Sequence, residues 1–272
     1  MSETINKIVT FIKEKVNITP EIGIILGSGL GSFINEIEIT HSLEYSAIPN
    51  FLVSTVEGHS GKLIFGKIAN KNVVVMQGRF HYYEGYTLQQ LALPIRVLKL
   101  LGINKLLLSN ASGGLNPEYK IGDLMIFDDH INLMGGNPLL GPNNPSFGPR
   151  FPDMSAPYDK LMVNKAYKFA RENGIKAHIG VFVGVHGPTF ETRAEYRYLR
   201  IIGADAVAMS TVPEVIAARH LGLSCFAISV ITDSGVPDEI VEISHEDVLR
   251  VANEAATKVS RIFKCLIADE SI

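Results

Sequence analysis

From Ile22 to Thr232, short runs rich in valine and isoleucine alternate with stretches whose apolar residues recur at helical spacing. That alternation restricts the chain to an α/β architecture, because strands and helices that follow one another in turn pack as a mostly parallel sheet with helices against it. The spacing predicts strands at Ile22–Leu26, Leu63–Ile68, Val73–Met76, Lys105–Ser109, Leu124–Phe127, Ile179–Val185, Ala206–Ala208 and Ser224–Thr232. Ala69 to Asn72 separates the second and third runs, which reads as an antiparallel hairpin. Helices fit Thr87–Leu101, Pro157–Asn173, Thr192–Ile202, Val212–Leu221 and His245–Leu266. Thr87 with Gln90, Thr211 with Glu214 and Ser244 with Asp247 have the spacing of helix-capping boxes. No stretch reads as an interdomain linker, so residues 1–272 are expected to form a single domain around a central mixed sheet flanked by helices.

Composition narrows the class further. Hydrophobic residues make up 46% of the chain, enough for a sizeable core. A net charge of −3 provides no basic footprint for nucleic acid or an anionic membrane. Arg96, Lys99 and Lys105 interrupt the longest apolar region before it reaches membrane-spanning length. Ile5, Ile8, Val9 and Ile12 recur at helical spacing among lysines, so the N-terminus reads as an amphipathic surface helix and not a signal peptide. Cys225 and Cys265 make no disulfide framework and suit a reducing compartment. A soluble, cytoplasmic chain is the expectation. Met134 to Pro152, rich in Gly, Pro and Asn with no apolar period, is too long for a connector and reads as a functional or oligomer-contact loop.

The candidate chemistry lies at the ends of these elements, where α/β sites assemble. Gly27-Ser28-Gly29-Leu30-Gly31 follows a strand but carries Ser32 where a dinucleotide fingerprint needs its third glycine. A glycine turn offering backbone N–H groups and the Ser28 hydroxyl to one phosphate fits better. Arg79 and His81 follow the next strand; the first is a fork suited to a phosphate oxygen pair, and the second can donate a further bond. His59 sits in a glycine-flanked turn, Gly58-His59-Ser60-Gly61, and Ser210 precedes a helix start that favours anions. Phe190 and Glu191 pair an aromatic face with a carboxylate, which suits a flat heterocycle with a hydrogen-bonding edge. Taken singly, Glu191 also suits a helix start and Asp233 a turn. No His or Cys pair has metal-ligand spacing, and no Gly-x-Ser-x-Gly elbow marks a serine hydrolase.

The motifs Gly27–Gly31, Gly58–Gly61, Gln77–Gly85, Asn110–Leu115, Asp129–Leu133, Gly187–Glu191 and Gly203–Glu214 together resemble those of the trimeric purine nucleoside phosphorylase family, over nearly the whole chain. The resemblance implies the nucleoside phosphorylase fold, a homotrimer, and reversible phosphorolysis of purine nucleosides to free base and α-ribose 1-phosphate. It calls for no cofactor and no metal, with inorganic phosphate as co-substrate. Carried over by position, it implies that Ser28, His59, Arg79, His81, Ala111 and Ser210 bind phosphate. Tyr83, Met209 and His245 would hold the ribose, and Phe190, Glu191, Val207 and Asp233 would line the base pocket. Glu191, Asp233 and His81 would take catalytic roles, and Phe151 would close the ribose side of a neighbouring subunit's site. Two positions depart from the family's pattern: Ser112 replaces an alanine, and Asp233 replaces an asparagine beside purine N7. Methylthioadenosine phosphorylases carry Asp at the second position but lack counterparts of Glu191 and His245. A calcium-dependent nucleoside hydrolase would need an aspartate-rich N-terminal site that Ile22–Gly31 does not supply. A non-catalytic nucleotide-binding module would release no base in response to phosphate.

Overall fold

The computed structural model describes residues 2–55, 60–236 and 240–271. Its strands are β1 (Ile22–Leu26), β2 (Glu38–Glu44), β3 (Lys62–Ile68), β4 (Lys71–Gln77), β5 (Lys105–Gly114), β6 (Leu124–Leu133), β7 (Ala177–Val185), β8 (Ala206–Ala208) and β9 (Ser224–Ser234). The helices are α1 (Ser2–Lys15), α2 (Leu88–Leu91), α3 (Leu93–Leu101), α4 (Lys160–Glu172), α5 (Arg193–Ile201), α6 (Val212–His220) and α7 (His245–Ala268). The expected mixed sheet is present, in the order β2-β3-β4-β1-β5-β8-β7-β6-β9. The strands of its centre, β4, β1, β5 and β9, are mutually parallel. All four therefore end on the same side, and the side chains that follow them converge there.

Two features of the sheet were not expected from the sequence. The first is β2, an exposed edge strand paired antiparallel to β3. Its residues carry too little apolar alternation to announce a strand. The second is closure: β9 pairs with β5 as well as with β6, and β6, β7 and β8 lead back to β5. Five strands thus form a ring, and this is why β5, β6 and β9 run longer than their apolar cores suggest.

Helices cover the sheet through the faces their periodicity marks. The N-terminal helix buries Ile5, Ile8, Val9 and Ile12 and packs on α3. The predicted helix from Thr87 is broken at Ala92 into α2 and α3, with Pro94 opening the second. Proline is tolerated in a first helical turn but cannot donate a backbone bond from a helix interior, so it restarts the helix. The capping boxes of Thr87 with Gln90 and Ser244 with Asp247 both form. That of Thr211 with Glu214 does not; Thr211 makes no side-chain cap bond. Between β6 and α4, the long loop carries no helix or strand. It is pinned by Arg150, whose Nη1 donates to the carbonyls of Leu139 (3.2 Å) and Gly141 (2.8 Å), and by Arg96 lying 5.2 Å from the Phe147 ring.

Candidate active site

The strand ends line one cavity, the kind of concave site at which α/β proteins bind ligands. Its wall includes Ser28 after β1, Arg79, His81 and Tyr83 after β4, and Ala111 on β5. Phe190 and Glu191 follow β7, Val207 lies on β8, and Met209 and Ser210 follow it. Asp233 on β9 and His245 at the start of α7 complete the set. Every candidate residue reaches this one cavity except two. His59 lies outside the described residues. Phe151 does not line the cavity of its own chain; it is 86% exposed, on a second groove with Arg150 and Leu140.

One end of the cavity is built for an anion. The turn after β1 can run against β5 only because residue 27 is glycine: a Cβ there would stand 2.6 Å from the Asn110 Cα. The Gly27 N–H donates to Ser109 Oγ at 3.4 Å. The Arg79 side chain is 1% exposed. Its Nε and Nη2 donate to the two oxygens of Glu214 at 3.3 and 3.0 Å, while Nη1 donates to the Ser109 carbonyl at 2.7 Å and to Ser210 Oγ at 3.4 Å. This corrects two expectations. The forked edge of Arg79 faces a carboxylate of the protein, so Arg79 meets the cavity as one arm of an ion pair. Glu214, expected as a helix cap, is the other arm. Thr211 sits at φ +70°, ψ −49°, a strained conformation for a β-branched residue. It is held there by Asn110, whose Nδ2 donates to Thr211 Oγ1 at 2.9 Å.

His81 is set by Glu84, which lies 3.1 Å from His81 Nδ1 and accepts the His81 backbone N–H at 2.7 Å. Burial alone would raise the Glu84 carboxyl, but bonds from His81 and Thr55 hold it at about 2. Burial pushes His81 below its ordinary value despite the bond to Glu84, and the Arg79 charge adds to that fall. A neutral imidazole beside an ionised carboxylate keeps its proton on Nδ1, leaving Nε2 as an acceptor. The Tyr83 ring stacks on His81 at 4.7 Å, and burial together with the Glu84 charge pushes its hydroxyl up to about 12.

Another part of the wall carries two carboxyl groups. Gly113 stands in register with Val207 on one side and Asp233 on the other. A Cβ on it would lie 2.9 Å from Asp233 Oδ2 and 3.5 Å from Val207, so glycine keeps this slot open. Thr232 Oγ1 donates to Asp233 Oδ1 at 2.9 Å. Burial raises the Asp233 carboxyl against the effect of that bond. Glu191 is raised too, first by burial, with the charges of Asp233 and Glu195 adding and a bond from Tyr196 opposing. Two carboxyl groups that both resist ionisation in one cavity mark a functional site. Tyr83, Met209 and His245 line the cavity and also an adjoining space with Thr55 and Pro188.

Asn110, Ser112, Gly113 and Thr232 also belong to the wall, without having been singled out for the site. The run Asn110–Leu115 marked the segment, but nothing local shows which of its side chains face inward. The Ser112 hydroxyl is buried with no hydrogen-bond partner among the described residues. Among those residues no group of three or more His, Cys, Asp or Glu side chains is arranged to hold a metal, and no helix is long and apolar enough to cross a membrane.

Comparison with known proteins matches residues 21–268 to the phosphorylase superfamily. The chain is 47% identical over 270 residues to purine nucleoside phosphorylase 1 of Bacillus subtilis, covering 98% of this chain and 99% of that one. It superposes with a TM-score of 0.93 on purine nucleoside phosphorylase of Schistosoma mansoni in complex with inosine, at 44% identity, covering 98% and 96% of the two chains. The same enzyme in complex with adenosine also gives 0.93 at 44% identity, with 98% and 97% covered.

Proposed function

The chain belongs to the phosphorylase superfamily, and from that membership and the cavity we propose that it is an enzyme catalysing the reversible phosphorolysis of purine nucleosides. The products are free base and α-(deoxy)ribose 1-phosphate. One observation carries the reading: a single cavity is lined both by an anion-suited set (Ser28, Arg79, His81, Ala111, Ser210) and by two raised carboxyl groups beside the Phe190 ring (Glu191, Asp233). Phosphate at the first and a purine at the second would put the sugar between them, against Tyr83, Met209 and His245.

The chemistry follows from that arrangement. Cleavage of the N9–C1′ bond passes through an oxocarbenium-like state, with positive charge on the ribose and electrons moving into the purine. Phosphate aimed at C1′ both attacks and stabilises the cation, and holding it there replaces a bimolecular encounter by a positioned one. His81 Nε2, as an acceptor, suits a protonated phosphate oxygen, and Arg79 contributes a fixed positive charge beside it. On the base, Glu191 as a carboxylate accepts from N1–H of a 6-oxopurine. Asp233 faces N7, which becomes more basic as the bond breaks; a bond made there strengthens in the transition state and raises turnover more than binding. Phosphate is the co-substrate, and no step calls for a cofactor. The proposal extends to a homotrimer in the cytoplasm, in which the exposed Phe151 covers a neighbour's ribose site.

Release of hypoxanthine from inosine, measured against inorganic phosphate, tests the reaction. Release should follow phosphate saturably and yield ribose 1-phosphate. Release without phosphate, giving free ribose, would make the chain a hydrolase; no release at all would leave it a binding module.

A further inference from the structure

We propose that Glu214 is a positioning residue for phosphate, acting chiefly through Arg79; the inference rests on the reading of Arg79 as part of the phosphate site. The pair is buried, with side-chain exposures of 1% for Arg79 and 8% for Glu214, and it joins residues 135 apart in sequence. Of the five N–H groups of the guanidinium, at least four are directed at protein acceptors: two at Glu214, one at the Ser109 carbonyl and one at Ser210 Oγ. A guanidinium held at both edges cannot swing as a free fork. It presents one orientation to the cavity, and Glu214 selects it.

The position of Glu214 makes this selection useful. It lies in the first turn of α6, three residues after the strained Thr211. That turn is tied to β5 by the Asn110 bond to Thr211, and to the exit of β4 by the Arg79–Glu214 pair. Three sides of the anion end are therefore braced against one another: β4 through Arg79, β5 through Asn110 and the Ser109 carbonyl, and α6 through Ser210 and Glu214. The capping role that Glu214 would otherwise have is absent, since Thr211 makes no cap bond. A neutralised arginine also attracts phosphate less strongly than a bare one. What the carboxylate contributes in exchange is orientation, and misplacement of about 1 Å at a reacting group can cost on the order of 100-fold in rate.

The test combines Glu214→Gln, Glu214→Asp, Arg79→Met and the double variant Arg79→Met/Glu214→Gln. In each, kcat and KM are measured separately for phosphate and for inosine, with thermal unfolding as a check on folding. A glutamine can accept only one of the two guanidinium bonds, because its amide N–H₂ faces a donor. Glu214→Gln should lower kcat/KM for phosphate by about 10- to 100-fold while moving the inosine KM less than about twofold. Glu214→Asp keeps the charge but shortens the reach, and should give a smaller loss of the same kind. If Glu214→Gln does not fold, the aspartate variant carries the test alone, and an unchanged phosphate KM in it overturns the proposal. In the Arg79→Met background, adding Glu214→Gln should change kcat/KM for phosphate less than about twofold, since the route of action is already gone. Full additivity, or equal loss toward phosphate and inosine, would show a structural role instead. If Arg79→Met itself leaves the phosphate dependence unaltered, the underlying reading of Arg79 fails. If Arg79→Met raises the phosphate KM and the Glu214 variants do not, only the inference about Glu214 fails.

Discussion

Replacing Asp233 by asparagine should change which purine the enzyme prefers, and the direction follows from the bonds around it. Asp233 is 9% exposed, and its Oδ1 is occupied by the hydroxyl of Thr232 at 2.9 Å. Its Oδ2 stands against Gly113 on the cavity wall. In an asparagine with its carbonyl oxygen at the Oδ1 position, keeping the 2.9 Å Thr232 bond in preference to the longer 3.3 Å one to the Ser112 carbonyl, Nδ2 turns toward the base. An acceptor thereby becomes a donor. A donor complements N7 and O6 of hypoxanthine and opposes the 6-amino group of adenine. A hydrogen bond to a charged group contributes about 1.5–3 kcal/mol, which at 1.36 kcal/mol per tenfold corresponds to about 10- to 150-fold. Adenosine kcat/KM should fall by that factor in Asp233→Asn, with inosine unchanged or improved. The parent should cleave inosine and guanosine well and adenosine measurably. It should also show an adenosine-to-inosine ratio that rises with pH. Burial holds the Asp233 carboxyl above its ordinary value, so lower pH supplies the protonated donor that suits O6, and higher pH supplies the acceptor that suits the amino group. Initial rates with both nucleosides at saturating phosphate, from about pH 4, the ordinary aspartate value, upward, measure this. No adenosine turnover in the parent, or an unchanged ratio in the variant, would refute the reasoning.

Arg79→Ala should raise the phosphate KM far more than the inosine KM, and it should also lower the melting temperature, because a buried Glu214 without its partner costs about 3–5 kcal/mol. Gly113→Ala should abolish base binding while phosphate binding survives, since its methyl would stand 2.9 Å from Asp233 Oδ2; calorimetric titration with hypoxanthine and with phosphate separates the two. Phe151→Ala should weaken nucleoside binding without unfolding the chain, and sedimentation should give a trimer; a fully active monomer would contradict the proposed sharing of sites. Glu84, held at about 2 against an ordinary 4.5, contributes stability that is complete above the ordinary value and is lost as pH falls toward 2. Glu84→Gln should therefore unfold earlier in denaturant at neutral pH, with a difference from the parent that shrinks on acidification.

The sequence by itself determined whatever depends on neighbours along the chain. Valine-rich runs located eight strands, period and capping placed the helices, and Thr87–Gln90 and Ser244–Asp247 formed the boxes their spacing announced. Motifs at the ends of the parallel strands β1, β4 and β9 placed Ser28, Arg79, His81 and Asp233 on one cavity, whereas Glu191 and Ser210 reach it from β7 and β8, which run antiparallel to β5. Tertiary structure decided the rest. The spacing of Thr211 and Glu214 fits a local cap as well as any true one, yet a buried guanidinium arriving from β4 takes the carboxylate, because a charge left unpaired in the interior costs more than a missing cap. Gly113 is unremarkable in the chain and becomes necessary only where Val207 and Asp233 flank it from two other strands. Closure of the sheet through β5 and β9 joins residues whose pairing leaves no local trace. Periodicity and caps record energies between residues a few positions apart. Strand closure, a cross-sheet ion pair and the room for a ligand depend on chain segments meeting in space, and that meeting is fixed only when the whole core packs.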